Sequence, residues 1–100
     1  MKNLKLQDIL ATLKDNKVLL SEKFGVTEIG VFGSYVRNEQ KNSSDIDIFV
    51  ELNEEYLTFQ NFIELKFYLK KILKKKVDLG IKNSIRSELK PTILNEAVHV

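Results

Sequence analysis

Apolar positions in the first quarter of the chain recur at the spacing of an amphipathic helix. Between Leu6 and Phe24 they fall mostly three or four residues apart, which is typical of a helix with one buried face. Asp15 and Asn16 interrupt this pattern and can split the helix in two. Gly25 predicts the end of the helix, because glycine readily adopts the left-handed conformation that closes many helices.

Two segments with strand character follow, joined by a polar stretch. Residues 26–32 form a short apolar run that predicts a buried strand. Ser34 suits a helix N-cap, so we expect a short helix or turn over residues 35–39 and a loop over residues 40–44. Residues 45–52 then alternate with a period of two, which predicts a strand with one face toward the core. The core face carries Ile46, Ile48 and Val50, and the opposite face carries Asp45, Asp47, Phe49 and Glu51.

The longest helix is predicted over residues 56–75. Its apolar side chains fall on one broad arc of a 3.6-residue wheel, namely Phe59, Phe62, Leu65, Tyr68, Leu69, Ile72 and Leu73. Ile63 and Phe67 lie outside that arc and could lie beneath a loop. If exposed, they and Tyr56 would form an apolar patch suited to a partner. The lysines at the end of the helix suit a solvated C-terminus, where positive charge is favourable.

A third strand and a last helix complete the pattern. Residues 76–81 place Val77, Leu79 and Ile81 inward and Asp78 on the opposite face. Ser84 could cap a short helix before Pro91, which suits the first turn of another helix running to about residue 97. The predicted order is α-β-α-β-α-β-α. We therefore expect an α/β (α+β) fold with a small three-stranded mixed sheet and packed helices, in a single domain over residues 1–100.

Composition narrows the possible chemistry. The chain has 100 residues, of which 43% are hydrophobic, and it has no Cys, which excludes disulfides, thiolate catalysis and Cys-based zinc sites. No apolar run is long enough to cross a bilayer, so we expect a cytoplasmic protein without a membrane partner. The net charge of +2 is only mildly basic, so direct binding of nucleic acid is not expected.

One motif carries most of the functional information. Gly33 and Ser34 are followed by ten residues and then by Asp45, Ile46 and Asp47. Two carboxylates at i and i+2 of a strand point to the same face, where they can share a hard divalent cation such as Mg2+. Gly-Ser at the end of the preceding strand lies where a phosphate would dock. Together these features predict chemistry on a nucleoside triphosphate with two metal ions.

Two further residues are candidates for the same site, each with an alternative. Asp78 is the best candidate for a third metal-binding carboxylate on the nucleophile side, or else it is a sheet-edge charge paired with Lys76. Arg37 lies one turn after Ser34 and could add positive charge at the leaving group. It could equally form a structural ion pair with Glu39 or Glu51. Tyr35 is expected to pack rather than to stack on a nucleotide, and His99 is assigned no role.

These residues resemble those of the DNA polymerase β-type nucleotidyltransferase superfamily. The flanking residues 32–35 and 43–48, together with the size of the chain, are similar to the minimal nucleotidyltransferases, called MNT or MntA. The resemblance implies that Asp45, Asp47 and Asp78 bind Mg2+ and that the Gly33-Ser34 turn holds the triphosphate of ATP. Asn38 stands where the family commonly has Gly, and Asn tolerates the left-handed conformation better than most residues.

The resemblance also implies an activity and a partner. Members are typically encoded beside a HEPN-domain RNase toxin and transfer AMP from ATP to a tyrosine of that toxin, so a hetero-oligomer is possible. Two other functions stay open from the sequence. The chain could be an antitoxin with a vestigial site that acts by binding alone. It could also be a nucleotidyltransferase subunit that acts on a small molecule or RNA with a separate substrate-binding subunit.

Overall fold

Four helices and four strands follow one another in the computed structural model, which describes residues 4–100. In chain order they are α1 (Leu6–Asp15), α2 (Lys17–Phe24), β1 (Val26–Phe32), β2 (Ile46–Leu52), α3 (Phe59–Leu73), β3 (Val77–Ile81), α4 (Lys90–Glu96) and β4 (Val98–His99). Single 3₁₀ turns at Glu54–Tyr56 and Lys82–Ser84 precede α3 and follow β3.

The four strands form one mixed sheet in the order β3-β2-β1-β4. β1 runs antiparallel to both β2 and β4, whereas β2 and β3 are parallel. The mixed sheet with packed helices agrees with the prediction, but the count of three strands is wrong. β4 contains only Val98 and His99, and two residues are too few to show the alternation by which a strand is detected in a sequence.

The first helical segment is divided as the sequence predicts. Asn16 separates α1 from α2, and its side chain donates to the carbonyl of Thr12 at 2.8 Å and accepts from the hydroxyl of Tyr68 at 2.7 Å. Gly25 ends α2 with φ of +71°. These contacts fix the corner between α1 and α2 against α3.

Helix α3 begins later than predicted, because Thr58 caps it. The Thr58 hydroxyl accepts from the backbone N–H of Asn61 at 3.1 Å, and the predicted start at residue 56 lies in the preceding 3₁₀ turn. Leu65, Leu69 and Leu73 are buried, but Phe59 is 81% exposed, so its place on the core arc is a wrong prediction. A helical wheel gives the direction of a side chain but not whether anything covers it, and Phe59 is left exposed at the start of α3.

The main core lies between the sheet and α1, α2 and α3. Ile29 and Val31 of β1 and the inward residues of β2 belong to one buried cluster with residues of these helices, among them Ile9, Leu13, Leu20, Leu65 and Leu69. Phe49 points to the opposite face, as predicted, yet it is fully buried there. Its ring lies against the backbone of Gly30, where an added Cβ would come within 2.5 Å, and it meets the His99 ring edge-on at 5.5 Å.

Pro91 lies in the first turn of α4, as predicted. The cap predicted at Ser84 is wrong, because Ser84 ends a 3₁₀ turn and the next helix begins only at Lys90. Across residues 4–100, none of the helices combines the length and apolar character needed to span a bilayer.

Candidate active site

Strand directions bring the predicted motif residues to one end of the sheet. β1 ends at Phe32, and Phe32 pairs in the antiparallel register with Asp47 near the start of β2. Because β3 is parallel to β2, its own start lies at the same end, and Asp78 pairs in register with Asp47. The turn after β1 and the beginnings of β2 and β3 therefore meet, although they are far apart in the sequence.

The carboxylates occupy the sheet face that α1, α2 and α3 do not cover. Asp47 and Asp78 are direct neighbours across β2 and β3, and Asp45 lies immediately before β2. Asp45 and Asp78 are exposed to solvent, and Asp47 is partly buried. Asp45 and Asp47 were expected on one face from their i and i+2 spacing, and β3 adds Asp78 beside them.

Partial burial and crowding perturb Asp47. Burial raises the pKa of the Asp47 carboxyl to about 6, and the nearby charges of Asp78 and Asp45 act in the same direction. The positive charge of Arg37 opposes this rise. Among the residues that the structure describes, no salt bridge involves Asp45, Asp47 or Asp78, so the alternative pairing of Asp78 with Lys76 is not formed.

The turn after β1 requires glycine at its first position. Gly33 has φ of +83°, and a Cβ at this position would collide with the carboxylate of Asp47. Ser34 and the next four residues form a turn rather than a helix, closed by the N–H of Glu39, which donates to the carbonyl of Ser34 at 2.9 Å. Asn38, at the position where the family that the chain resembles commonly has Gly, adopts the left-handed conformation with φ of +57°.

Glu96, at the end of α4, contacts this turn and was not predicted from the sequence. Its Oε2 accepts from the backbone N–H of Gly33 at 3.1 Å, and its Oε1 accepts from Nη1 of Arg37 at 2.6 Å. The hydrogen bond from Arg37 lowers the pKa of Glu96, with a further contribution from the Gly33 N–H. No local pattern announces a contact between residues 59 positions apart in the sequence.

The predicted alternatives for Arg37 are partly realised. Its Nε donates to Oε1 of Glu39 at 2.6 Å, as one alternative proposed, but its second partner is Glu96 rather than Glu51. Arg37 is half exposed, so its guanidinium is held by two carboxylates while still facing solvent. Tyr35, by contrast, is buried at 2% exposure, which agrees with the packing role expected for it.

The acidic group fits a hard divalent cation in its chemistry. Carboxylate oxygens are the ligands that Mg2+ prefers, and a cation would relieve the repulsion that perturbs Asp47. As the side chains stand, no three Asp, Glu or His residues within positions 4–100 are close enough together to hold one ion. The donors are thus of the right kind, and side-chain rotation would have to complete a metal site.

A recess beside the sheet adjoins the acidic group. It has a volume of about 350 Å3 and is lined by Asp45, Ile63, Lys66, Phe67, Lys70, Lys76 and Val77. Phe67 is 64% exposed at its edge. A larger recess of about 650 Å3 lies along α2, β1 and the end of the chain, and contains none of the motif residues.

Comparisons with known proteins agree with this geometry. The chain matches the model of the nucleotidyltransferase domain family over residues 13–100. It is 48% identical over 100 residues to the protein adenylyltransferase MntA of Thermococcus cleftensis, and the match covers the whole of both chains.

Solved structures give the same result. A chain described as a minimal nucleotidyltransferase superimposes with a TM-score of 0.82 at 26% identity, and 98% of each chain is covered. A chain of a toxin–antitoxin crystal structure with AMP-PNP superimposes with a TM-score of 0.68 at 28% identity, covering 96% of this chain and 72% of that one. The likeness therefore extends over nearly the whole chain and is not confined to the motif.

Proposed function

The chain belongs to the nucleotidyltransferase domain family and is a nucleotidyltransferase, and from that premise we propose that it transfers AMP from ATP to a tyrosine hydroxyl of a cognate HEPN-domain RNase toxin. The reaction would neutralise the toxin, which makes the chain an enzymatic antitoxin. We place it in the cytoplasm, where ATP is available and where a chain without Cys needs no oxidising compartment.

One observation carries the proposal: the acidic group and an anion-binding turn lie side by side. Asp47 is in register with both Phe32, the last residue before the turn, and Asp78. The turn presents the Gly33 N–H and the Arg37 guanidinium to a carboxylate, so these donors are already arranged to hold a negatively charged oxygen. A triphosphate needs such a pair of neighbouring subsites, one for metal-bound oxygens and one for the leaving end.

Asp45, Asp47 and Asp78 would hold Mg2+, with two ions expected. When bound, the metal would polarise the α-phosphate and neutralise the pyrophosphate that leaves. The aspartates themselves set the position of the reaction, because two of them are fixed by the register of β2 and β3. Asp78, which is exposed on the edge strand, would orient the acceptor hydroxyl and receive its proton.

The turn would hold the leaving end of ATP. Gly33 lets the backbone approach a phosphate without a Cβ, the Ser34 hydroxyl adds a donor, and Arg37 supplies a permanent positive charge. In the transfer, the tyrosine oxygen bonds to the α-phosphorus while the bond to the α-β bridging oxygen breaks. Pyrophosphate leaves with that electron pair on the side of the turn.

A protein acceptor is supported by relatives and by the surface beside the site. The relative from Thermococcus cleftensis is named a protein adenylyltransferase, and a matching structure is a toxin–antitoxin assembly with AMP-PNP. In this chain, the recess beside Asp45 and the exposed Phe67 offer apolar and basic surface to an incoming protein segment. This surface and these relatives support a hetero-oligomer of the chain with the toxin.

Mass spectrometry of the toxin tests the proposal. The purified toxin, incubated with the chain, ATP and Mg2+, should gain the mass of AMP in one or more steps, and fragmentation should place each addition on tyrosine. Asp45→Asn and Asp47→Asn should abolish the gain. Asp15→Asn, which changes an exposed aspartate at the end of α1, is the matched control and should leave it intact.

Other outcomes would point to the alternatives. Full inhibition of the toxin by Asp45→Asn and Asp47→Asn, with no AMP added by the unmodified chain, would indicate an antitoxin that acts by binding alone. AMP transfer to RNA or to a small molecule, with the toxin left unmodified, would indicate a nucleotidyltransferase subunit with another substrate.

A further inference from the structure

Glu96 accepts from two of the donors that the site would offer to the end of a triphosphate. Its two carboxylate oxygens divide between the Gly33 N–H and Arg37, at 3.1 and 2.6 Å. Carboxylate and phosphate oxygens are acceptors of the same kind, and both form charge-assisted hydrogen bonds with Arg and with backbone N–H groups. A phosphate cannot take the Gly33 N–H while Glu96 holds it. Glu96 and Glu39 also offset the charge of Arg37, whose remaining N–H groups would otherwise attract the phosphate more strongly.

The position of Glu96 in its own helix favours a role in this contact rather than in the stability of the helix. It is the last residue of α4, where the carbonyl ends of the helix disfavour a negative charge. Its side chain is 19% exposed, whereas that of Glu39, the other partner of Arg37, is 64% exposed. The site therefore includes an acidic side chain at an unfavourable position for its helix, and this side chain contacts the phosphate-binding turn instead.

We propose that Glu96 is a built-in competitor of the nucleotide, a carboxylate that closes the phosphate-binding turn in the free chain and leaves it when the triphosphate enters. This inference rests on the proposed function, since it assumes that ATP binds at the turn. The triphosphate would displace Glu96 because it carries more negative charge than one carboxylate and because Mg2+ held by the acidic group would attract its oxygens as well. Glu96 thereby lowers the affinity for ATP.

Displacement of Glu96 also links ATP to the C-terminal segment. α4 leads directly into β4, which is held to β1 by the pairs Gly30 with His99 and Val31 with Val98. One more hydrogen bond follows, from the N–H of Val100 to the carbonyl of Ile29 at 3.1 Å. Because the Glu96 bonds hold the last turn of α4 to the turn after β1, their loss should loosen α4 when ATP binds, while β4 stays held by these pairs and by the contact of His99 with Phe49.

Calorimetric titration of ATP with Mg2+ into the unmodified chain and three variants tests the inference. Glu96→Gln keeps the shape of the side chain but removes its charge, and it should bind ATP about three- to tenfold more tightly than the unmodified chain. Glu39→Gln removes the other carboxylate on Arg37 but leaves the Gly33 N–H with Glu96, so its effect should be smaller. Glu96→Asp, which is too short to reach both donors, should also bind more tightly and guards against a folding defect peculiar to Gln.

Hydrogen exchange supplies an independent readout. In the unmodified chain, ATP should speed amide exchange in α4, whereas a ligand that merely rigidifies a protein slows exchange. In Glu96→Gln, α4 should exchange fast before ATP is added and change little afterwards.

The inference and the proposed function fail in different ways. If the unmodified chain binds ATP and modifies the toxin while Glu96→Gln binds ATP equally or more weakly, Glu96 orients the turn and the competitor role is wrong. If the unmodified chain takes up no ATP with Mg2+, the proposed function falls and the inference falls with it.

Discussion

Replacing Asp47 by Asn should stabilise the fold while it abolishes AMP transfer. The pKa of Asp47 is raised from its ordinary value of 3.8 to about 6 by partial burial and by the charges of Asp78 and Asp45. The folded chain therefore disfavours the ionised carboxylate relative to the unfolded chain. No side-chain hydrogen bond to Asp47 is found within residues 4–100, so replacing its carboxylate by an amide breaks no hydrogen bond.

The magnitude follows from the size of the shift. A rise of about two pH units corresponds to about 3 kcal/mol. Because Asp47 is only partly buried, solvent screening reduces the expected gain in the free energy of unfolding to about 1–2 kcal/mol. For a chain of this size, that gain corresponds to a rise in Tm of about 5–10 °C.

The pH dependence gives the sign of the effect. Below about pH 4 the Asp47 carboxyl is protonated in both the folded and the unfolded chain, so the unmodified chain and the Asp47→Asn variant should unfold at the same temperature. Between about pH 4 and 6 the unmodified chain loses the stability that protonated Asp47 contributes, and the gap opens. Above about pH 7 the gap should be constant.

Thermal and urea unfolding followed by circular dichroism, in EDTA from pH 4 to 8, measures this gap. Asp78→Asn should give a smaller gain, because it removes only one neighbouring charge. Asp15→Asn is the control for loss of an exposed carboxylate. Its difference in stability from the unmodified chain should not grow between pH 4 and 6. Equal or lower stability of Asp47→Asn at pH 8 would refute the account that partial burial and the neighbouring charges disfavour the ionised Asp47 carboxylate.

Three other substitutions test separate parts of the structure. Ser34→Ala should raise the KM for ATP in the AMP-transfer assay without lowering Tm, and unchanged kinetics would remove Ser34 from the phosphate subsite. Lys74→Gly should stabilise the chain by about 1 kcal/mol in urea unfolding, because Lys74 closes α3 with φ of +57°, a conformation that glycine adopts without strain; destabilisation would contradict this. Gly80→Ala should stabilise β3 by about 0.5–1 kcal/mol, because an added Cβ there meets no atom within 4 Å, and a loss of stability by the same measurement would count against that open space.

The local pattern of the sequence determined α1, α2 and the first three strands, together with the chemistry of the motif, but it did not reveal β4. Helical spacing, the break at Asn16 and the stop at Gly25 all agree with the structure, because each depends on neighbouring residues alone. The alternation in β2 likewise put Asp47 on the face opposite the core. The fixed spacing from Gly33 to Asp45 was enough to predict a site for metal and triphosphate. The roles of the individual residues in that site stay predictions.

Contacts between distant residues were decided only by the tertiary structure. The placement of Asp78 beside Asp47 depends on the parallel register of two strands joined through α3, and the burial of Phe49 depends on Gly30 and His99. Glu96 reaches Gly33 and Arg37 because α4 returns to the end of β1, and no periodicity within a single segment encodes such a return. A sequence read locally specifies which groups are present, whereas the packing of the chain on itself determines which of them meet.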